Sequence, residues 1–165
     1  MKYRGRLDEG NHQDLWVAAT TPAFSVYNGA DLSPEAQSEF VRSLGTPQRQ
    51  ALVSWLVDCE VPSGGVHGLF SCMGLLLPEI KESLEFYEAQ VYLTTLSPLF
   101  DMFDLGSFPH DYDKMMDKWD SAIENNFDIV DKVQTTYWEL CETYPLRKII
   151  ESHIGRNMGL YFESV

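Results

Sequence analysis

Apolar residues recur at helical spacing along most of this chain, and helix-starting and helix-ending residues separate the periodic segments. Residues 8–20 predict a short amphipathic helix that ends before Pro22, because proline breaks the hydrogen-bond ladder of a helix interior. Ser33 followed by Pro34 is typical of an N-cap and a first helical turn, and predicts a helix to about Leu44. The order of periodic segments and breakers therefore predicts consecutive helices.

Five further segments show the same periodicity, each opened or closed by proline or glycine. They are residues 46–60, 79–88, 91–103, 111–142 and 145–155. The stretch 61–74 holds one proline and four glycines, which predicts tight turns or close chain approach instead of a regular element. No alternating strand pattern competes with these helices. The predicted fold class is all-α, one compact multi-helix domain over residues 1–165 with a glycine-rich central loop.

Composition narrows the class of protein. The chain has 165 residues, of which 44% are hydrophobic and 13% aromatic, enough for a folded core. Three cysteines form no pairing motif, which favours a reducing compartment and predicts a cytoplasmic location. No signal peptide and no apolar run of about 20 residues is present, so no membrane association is expected.

Negative charge is concentrated in one third of the chain. The net charge of −13 argues against direct binding to nucleic acid, and solubility alone would explain the total. However, residues 78–131 hold thirteen acidic residues against three lysines, a net charge of −10. A third of the sequence therefore accounts for most of the imbalance, which favours a localised acidic surface.

Six carboxylates on the longest predicted helix fall within one narrow sector at about 100° per residue. They are Asp113, Asp117, Asp120, Glu124, Asp128 and Asp131. Glu79 and Glu82 would extend this partner-binding acidic stripe if their helix packs beside the long one. The spacing along the helix is broadly similar to that of successive phosphates in a nucleic-acid strand. The alternative interpretation is the solvated face of an amphipathic helix.

The glycine-rich stretch carries a family resemblance. It matches Glu-Val-x-x-Gly-Gly and the residues that follow at Glu60, Val61, Gly64, Gly65, Phe70 and Gly74, with His67 in the same loop. Flanking segments 14–16, 32–35, 77–80 and 137–140 also match. The chain thus resembles a bacterial helical family of mostly unknown function, the DMP type, which includes a DNA mimic that binds a transcription factor. Pro62 and Ser63 replace two asparagines of that signature.

The resemblance implies a non-enzymatic binding protein whose acidic face engages a basic DNA-binding regulator, with self-association into a homodimer as a further implication. The family loop either binds a ligand or packs the two helical halves together. An immunity-like inhibitor of a cationic toxin or nuclease uses similar electrostatics and remains an alternative. A minor alternative is an enzyme that uses the Gly64–Gly74 loop.

Catalytic and metal-binding patterns are not apparent in the sequence. Cys59, His67 and Cys72 do not have standard metal-ligand spacing, and buried thiols beside a loop histidine explain them better. The sequence contains no phosphate-binding loop, nucleophile elbow or zinc-protease motif. We therefore predict no catalytic residues, no metal and no cofactor.

Overall fold

A computed structural model describes residues 4–5, 14–29, 31–105 and 108–162. Its helices are α1 (Leu15–Gly29), α2 (Pro34–Ser43), α3 (Thr46–Met73), α4 (Leu77–Phe86), α5 (Gln90–Asp101), α6 (Tyr112–Thr143), α7 (Leu146–Arg156) and the short α8 (Met158–Tyr161). A 3₁₀ turn, Gly74–Leu76, joins α3 to α4. Within the described residues, β-type backbone pairing is confined to an isolated parallel bridge between Gly5 and Phe162. The all-α prediction is confirmed.

Helix α3 lies at the centre of the fold. It packs against α1, α2, α4, α6 and α7, while α5 lies between α4 and α6. The indole Nε1 of Trp16 on α1 donates to the carbonyl of Ala51 on α3 at 3.0 Å, so this buried tryptophan has its polar atom satisfied. No described helix is both long enough and apolar enough to cross a membrane.

The first helix differs from its prediction. Helix α1 continues through Pro22 to Gly29, although the sequence predicted that it ends before the proline. Ala23 and Tyr27, beyond the proline, are buried, so tertiary packing outweighs the lost backbone hydrogen bond. Residues 8–13 of the predicted helix lie outside the described residues.

The glycine-rich stretch is mostly helical, which corrects the prediction of an irregular loop at 61–74. Helix α3 runs on to Met73 and is interrupted only at Gly65, where φ is 65° and ψ is −165°. Such a backbone conformation is accessible almost solely to glycine. The several glycines were therefore a misleading signal, because one of them alone adopts a positive φ inside this stretch.

The long acidic helix was predicted at residues 111–142 and is found as α6, Tyr112–Thr143. Asp111 caps it, since its side chain accepts a hydrogen bond from the amide of Lys114 at 3.0 Å. The helix has a break at Asn126 that was not predicted, where φ is −138° and ψ is 30°. The Asn126 amide nitrogen donates to the Ala122 carbonyl at 2.9 Å, a side-chain bond of the kind that competes with the helical ladder.

The side of α6 opposite the acidic residues faces the core. Its fully buried members are Met115, Trp119, Val130, Val133 and Tyr137. The rings of Trp119 and Phe70 stack in parallel with centroids 3.7 Å apart, joining α6 to α3. Trp138, a further large apolar residue of this helix, is 43% exposed.

Acidic pH is expected to destabilise the fold through His153. Its ring packs among Phe86, Tyr87 and Tyr161, and its buried Nε2 has no hydrogen-bond partner. Burial, followed by the charge of Arg156, lowers the His153 pKa, while Glu88 opposes the shift. The unfolded chain then binds more protons below its pKa of about 6.5, so this contribution to stability is lost as pH falls through that value.

Urea unfolding of the wild type and of His153→Phe at pH 7.5 and 5.5 tests this expectation. The wild type should lose more stability between the two pH values than the variant does. Equal losses in both proteins would show that His153 does not contribute to the acid sensitivity.

Candidate functional site: an acidic helix face

Six carboxylates lie on the solvent side of α6. All six are exposed, and none forms an ion pair with another described residue. They are Asp113, Asp117, Asp120, Glu124, Asp128 and Asp131, and together they are called the acidic face below. Three lysines on the same helix, Lys114, Lys118 and Lys132, are also exposed. The acidic face therefore presents an excess of unneutralised negative charge to solvent.

The break at Asn126 divides the acidic face into two parts. Four carboxylates from Asp113 to Glu124 precede it, on a stretch whose helical rise is about 16 Å. Asp128 and Asp131 follow the break, so the single straight row expected from the sequence becomes two shorter rows. The row of carboxylates therefore changes direction at the kink in α6.

Five carboxylates elsewhere in the described structure form ion pairs with three arginines and one lysine. These pairs are Arg42–Glu79, Arg49–Glu82, Lys81–Glu85, and Arg147 with both Asp14 and Glu151. Each of these ion pairs lies off α6. Arg42, Arg49, Lys81 and Arg147 are therefore engaged away from the acidic face, which leaves Lys114, Lys118 and Lys132 as the basic residues of its own helix.

Glu79 and Glu82 do not extend the acidic face, contrary to expectation. Their helix, α4, packs mainly against α3 and α5 instead of lying beside α6. Glu79 is 8% exposed and accepts a 2.5 Å hydrogen bond from Arg42. Glu82 is exposed but lies 3.7 Å from Arg49, which offsets its charge. Both carboxylates therefore form ion pairs between helices, Glu79 with Arg42 of α2 and Glu82 with Arg49 of α3.

An apolar groove borders the second part of the acidic face. It has a volume of about 610 Å³ and lies between α5 and α6. Its lining residues are Thr94, Thr95, Pro98, Asp128, Ile129, Lys132, Val133 and Thr136. Ile129 is 42% exposed, and Phe127, directly after the break, is 65% exposed. This groove was not predicted from the sequence, although Phe127 and Ile129 are apolar residues that alternate with acidic ones around them.

A second, shallower hollow of about 510 Å³ borders the first part of the acidic face. It contains Asp117 and Lys118 of α6 together with Met102 and Phe103, which follow α5. Asp104 also lines this hollow and already interacts with another group of the protein. Acidic and apolar surfaces thus adjoin on both sides of the break.

The glycine-rich stretch contacts α6 from inside the molecule. At the Gly65 break, the amide of Val66 donates to the side-chain oxygen of Gln134 at 3.1 Å. The carbonyl of Val61 accepts a hydrogen bond from the indole nitrogen of Trp138 at 3.3 Å. Both partners are on α6 and satisfy backbone groups near the interruption of α3. Trp138 is partly exposed while its nitrogen binds this carbonyl.

The other residues of the family-like motif are spread along α3 and its end. Phe70 is buried in the stack with Trp119, whereas His67 is exposed and lies edge-on to the same tryptophan at 5.7 Å. A Cβ added at Gly74 would lie 2.3 Å from Cε of Met115, so this glycine allows close packing against α6. Gly64 is exposed with open space around it. These contacts favour a packing role for the motif.

Glu60 lies beside the Cys72 thiol on the outer side of the stretch. Desolvation raises the pKa of Cys72, and so do the hydrogen bond and charge of Glu60. Desolvation also raises the pKa of Cys59, with further contributions from Asp58 and Glu60. Both cysteines are exposed, which corrects the expectation that they are buried. Thiols held in the protonated form lack the activation of a nucleophilic cysteine.

The cavity next to this stretch is too small for a substrate. It is lined by Tyr27, Cys72 and Tyr112 among others, and its volume of about 10 Å³ is at the limit for one water molecule. In the described part of the chain, no three histidine, cysteine or acidic side chains converge as metal ligands. The acidic face and its apolar groove are therefore the better candidates for a functional surface.

Comparison with known proteins identifies the family. A family model described as DMP19-like protein matches residues 42–153, about two thirds of the chain. This range spans α3 to α6 and includes the Gly65 break, the acidic face and the apolar groove. Neither the curated proteins nor the solved structures give a significant match. On the strength of the match over residues 42–153, the chain belongs to the DMP19-like protein family.

Proposed function

We propose that this protein is a non-enzymatic inhibitor that binds a basic DNA-binding regulator through its acidic face, as a mimic of DNA. The observation behind the proposal is the row of six exposed, unpaired carboxylates on α6. Like charges three and four residues apart destabilise a helix slightly, so an uncompensated row has a cost that a binding role would justify. A cytoplasmic location fits such a partner.

The physical basis is the similarity between a row of carboxylates and a row of phosphates. Spacings of three and four residues correspond to an axial rise of about 4.5–6 Å between neighbouring carboxylates. A surface that holds DNA phosphates with lysine and arginine would meet comparable charge on α6. Membership in the DMP19-like family is compatible with this role.

Neutralising part of the acidic face should weaken binding at least tenfold. The variant replaces Asp117→Asn, Glu124→Gln and Asp128→Asn, which removes three charges without large changes in side-chain volume. A nucleic-acid-depleted extract of the organism that encodes the protein is passed over the immobilised wild type and the variant. The wild type should retain a DNA-binding protein that duplex DNA releases, and retention should fall steeply with added salt because the contacts are electrostatic.

The matched control removes the same charge off α6. Asp31→Asn, Glu39→Gln and Glu88→Gln change three exposed acidic residues, and this variant should bind like the wild type. Retention that ignores both salt and the α6 substitutions would overturn the electrostatic proposal. Retention of a cationic nuclease or toxin whose activity the protein blocks, without a DNA-binding regulator, would instead favour the immunity-like alternative.

A further inference from the structure

The apolar groove between α5 and α6 has an unusual wall on its α5 side. Thr95 donates its hydroxyl to the Val91 carbonyl at 2.9 Å, and the Thr94 hydroxyl accepts a bond from Gln90 at 3.4 Å. Both hydroxyls are thus engaged along their own helix. Thr94, Thr95 and Pro98 form the lining of the groove on this side.

The opposite wall is formed by α6. Ile129 and Val133, one turn apart, supply its apolar part, and Ile129 remains 42% exposed. Asp128 and Lys132 line the same wall at i and i+4. An exposed isoleucine beside a groove of about 610 Å³ is apolar surface that a partner side chain could bury.

Charge around the groove determines which partner fits. Asp128 and Lys132 line the groove itself, and the other five carboxylates of the acidic face lie on the same helix, α6. A second copy of this chain would bring its own net charge of −13 and its own acidic face, so repulsion opposes a homodimer at this surface. A cationic partner with an apolar ridge would be complementary to both the acidic face and the apolar groove.

We propose that the groove receives an apolar side chain from an amphipathic, lysine- and arginine-bearing helix of the partner, while the flanking basic residues contact the acidic face. This inference rests on the proposed function and adds a determinant of specificity to it. The contact in the groove is additional to the charge contacts that imitate DNA. A DNA-binding protein without a matching apolar side chain would lack it, so the groove would distinguish the chosen partner from other DNA-binding proteins.

Two synthetic peptides of equal charge test the inference. One is an amphipathic helix with lysines on one face and leucines at i, i+3, i+4 and i+7 on the other, and the second has serine at each leucine position. Fluorescence anisotropy with the intact protein should give a Kd about tenfold lower for the leucine peptide. The variant with Asp117→Asn, Glu124→Gln and Asp128→Asn should bind both peptides more weakly.

Thr94→Trp blocks the groove from the exposed side of α5 without changing charge, and Thr135→Trp is the control, on α6 but outside the groove lining. The blocking variant should lose the preference for leucine, and the control should keep it. Equal binding of both peptides to the wild type would overturn the groove inference alone. Binding of neither peptide would overturn the electrostatic proposal as well.

Sedimentation of the same variants tests the competing occupant. The wild type and Thr94→Trp should sediment with the same molecular mass, and therefore the same oligomeric state. A wild-type dimer that Thr94→Trp converts to a monomer would show that a second copy fills the groove, and would overturn the inference.

Discussion

Gly65→Ala is expected to lower the free energy of unfolding by about 3 kcal/mol and the melting temperature by roughly 6–12 °C. The residue has a φ of 65° and a ψ of −165°, a region in which any side chain is strained. A Cβ would also lie 2.2 Å from Oε1 of Gln134. Displacing Gln134 would remove the partner of the Val66 amide, which adds the cost of an unsatisfied donor.

Gly64→Ala is the matched control. The neighbouring glycine is exposed, has no positive φ, and a Cβ there meets nothing within 4 Å. It should leave stability unchanged or raise it by about 0.5–1 kcal/mol, because alanine loses less conformational freedom in a helix. Urea denaturation measures both variants. If both variants have the stability of the wild type, the break at Gly65 has no structural role.

Combining Gly65→Ala with Gln134→Ala separates the two causes of the loss. The double variant removes the clash but retains the backbone strain at residue 65. We expect it to remain at least about 2 kcal/mol less stable than the wild type. Full recovery would mean that the contact with Gln134, and not the backbone conformation, requires glycine.

Arg42→Met should lower the free energy of unfolding by about 2–4 kcal/mol. Arg42, at the end of α2, donates to Glu79 at 2.5 Å and to the carbonyl of Leu75 at 2.7 Å. A further bond at 3.2 Å joins it to the ring of His110 before α6. Removing the guanidinium would leave the Glu79 carboxylate buried without its cation and the Leu75 carbonyl without this donor.

A double-mutant cycle with Glu79→Leu tests whether this cost comes from the ion pair. Replacing both partners with apolar residues removes the isolated buried charge, so the double variant should be more stable than Arg42→Met alone. Additive losses from the two single substitutions would contradict an energetic coupling between Arg42 and Glu79. Melting curves at matched protein concentration suffice for the comparison.

Local sequence signals predicted much of the fold. The N-cap at Ser33 is found, with its side chain accepting from the Ala36 amide at 3.3 Å. The apolar positions of α6 are mostly buried as predicted, since periodicity reports which helical face can leave water. Helix ends were predicted less well. Pro22 and the glycines at 64–74 predicted helix breaks, but such residues end a helix only where tertiary packing does not favour its continuation.

The acidic face could be predicted in part. The exposure of its six members follows from their position opposite the apolar residues of α6. Glu79 could not be distinguished from them, because its carboxylate is sequestered by Arg42, which is 37 residues away in the chain. The apolar groove was equally hidden, since it requires the face of α5 around Pro98 to lie beside Ile129 of α6.

The sequence by itself determined the helical class, the concentration of negative charge in residues 78–131 and the solvent-facing carboxylates of α6. Each depends on spacing within one helix, which the linear order of residues fixes. Only the tertiary structure decided which acidic residues are neutralised, where α3 and α6 break, and where apolar surface adjoins the acidic face. These features depend on contacts between helices that are far apart in the chain, which periodicity within one helix cannot specify.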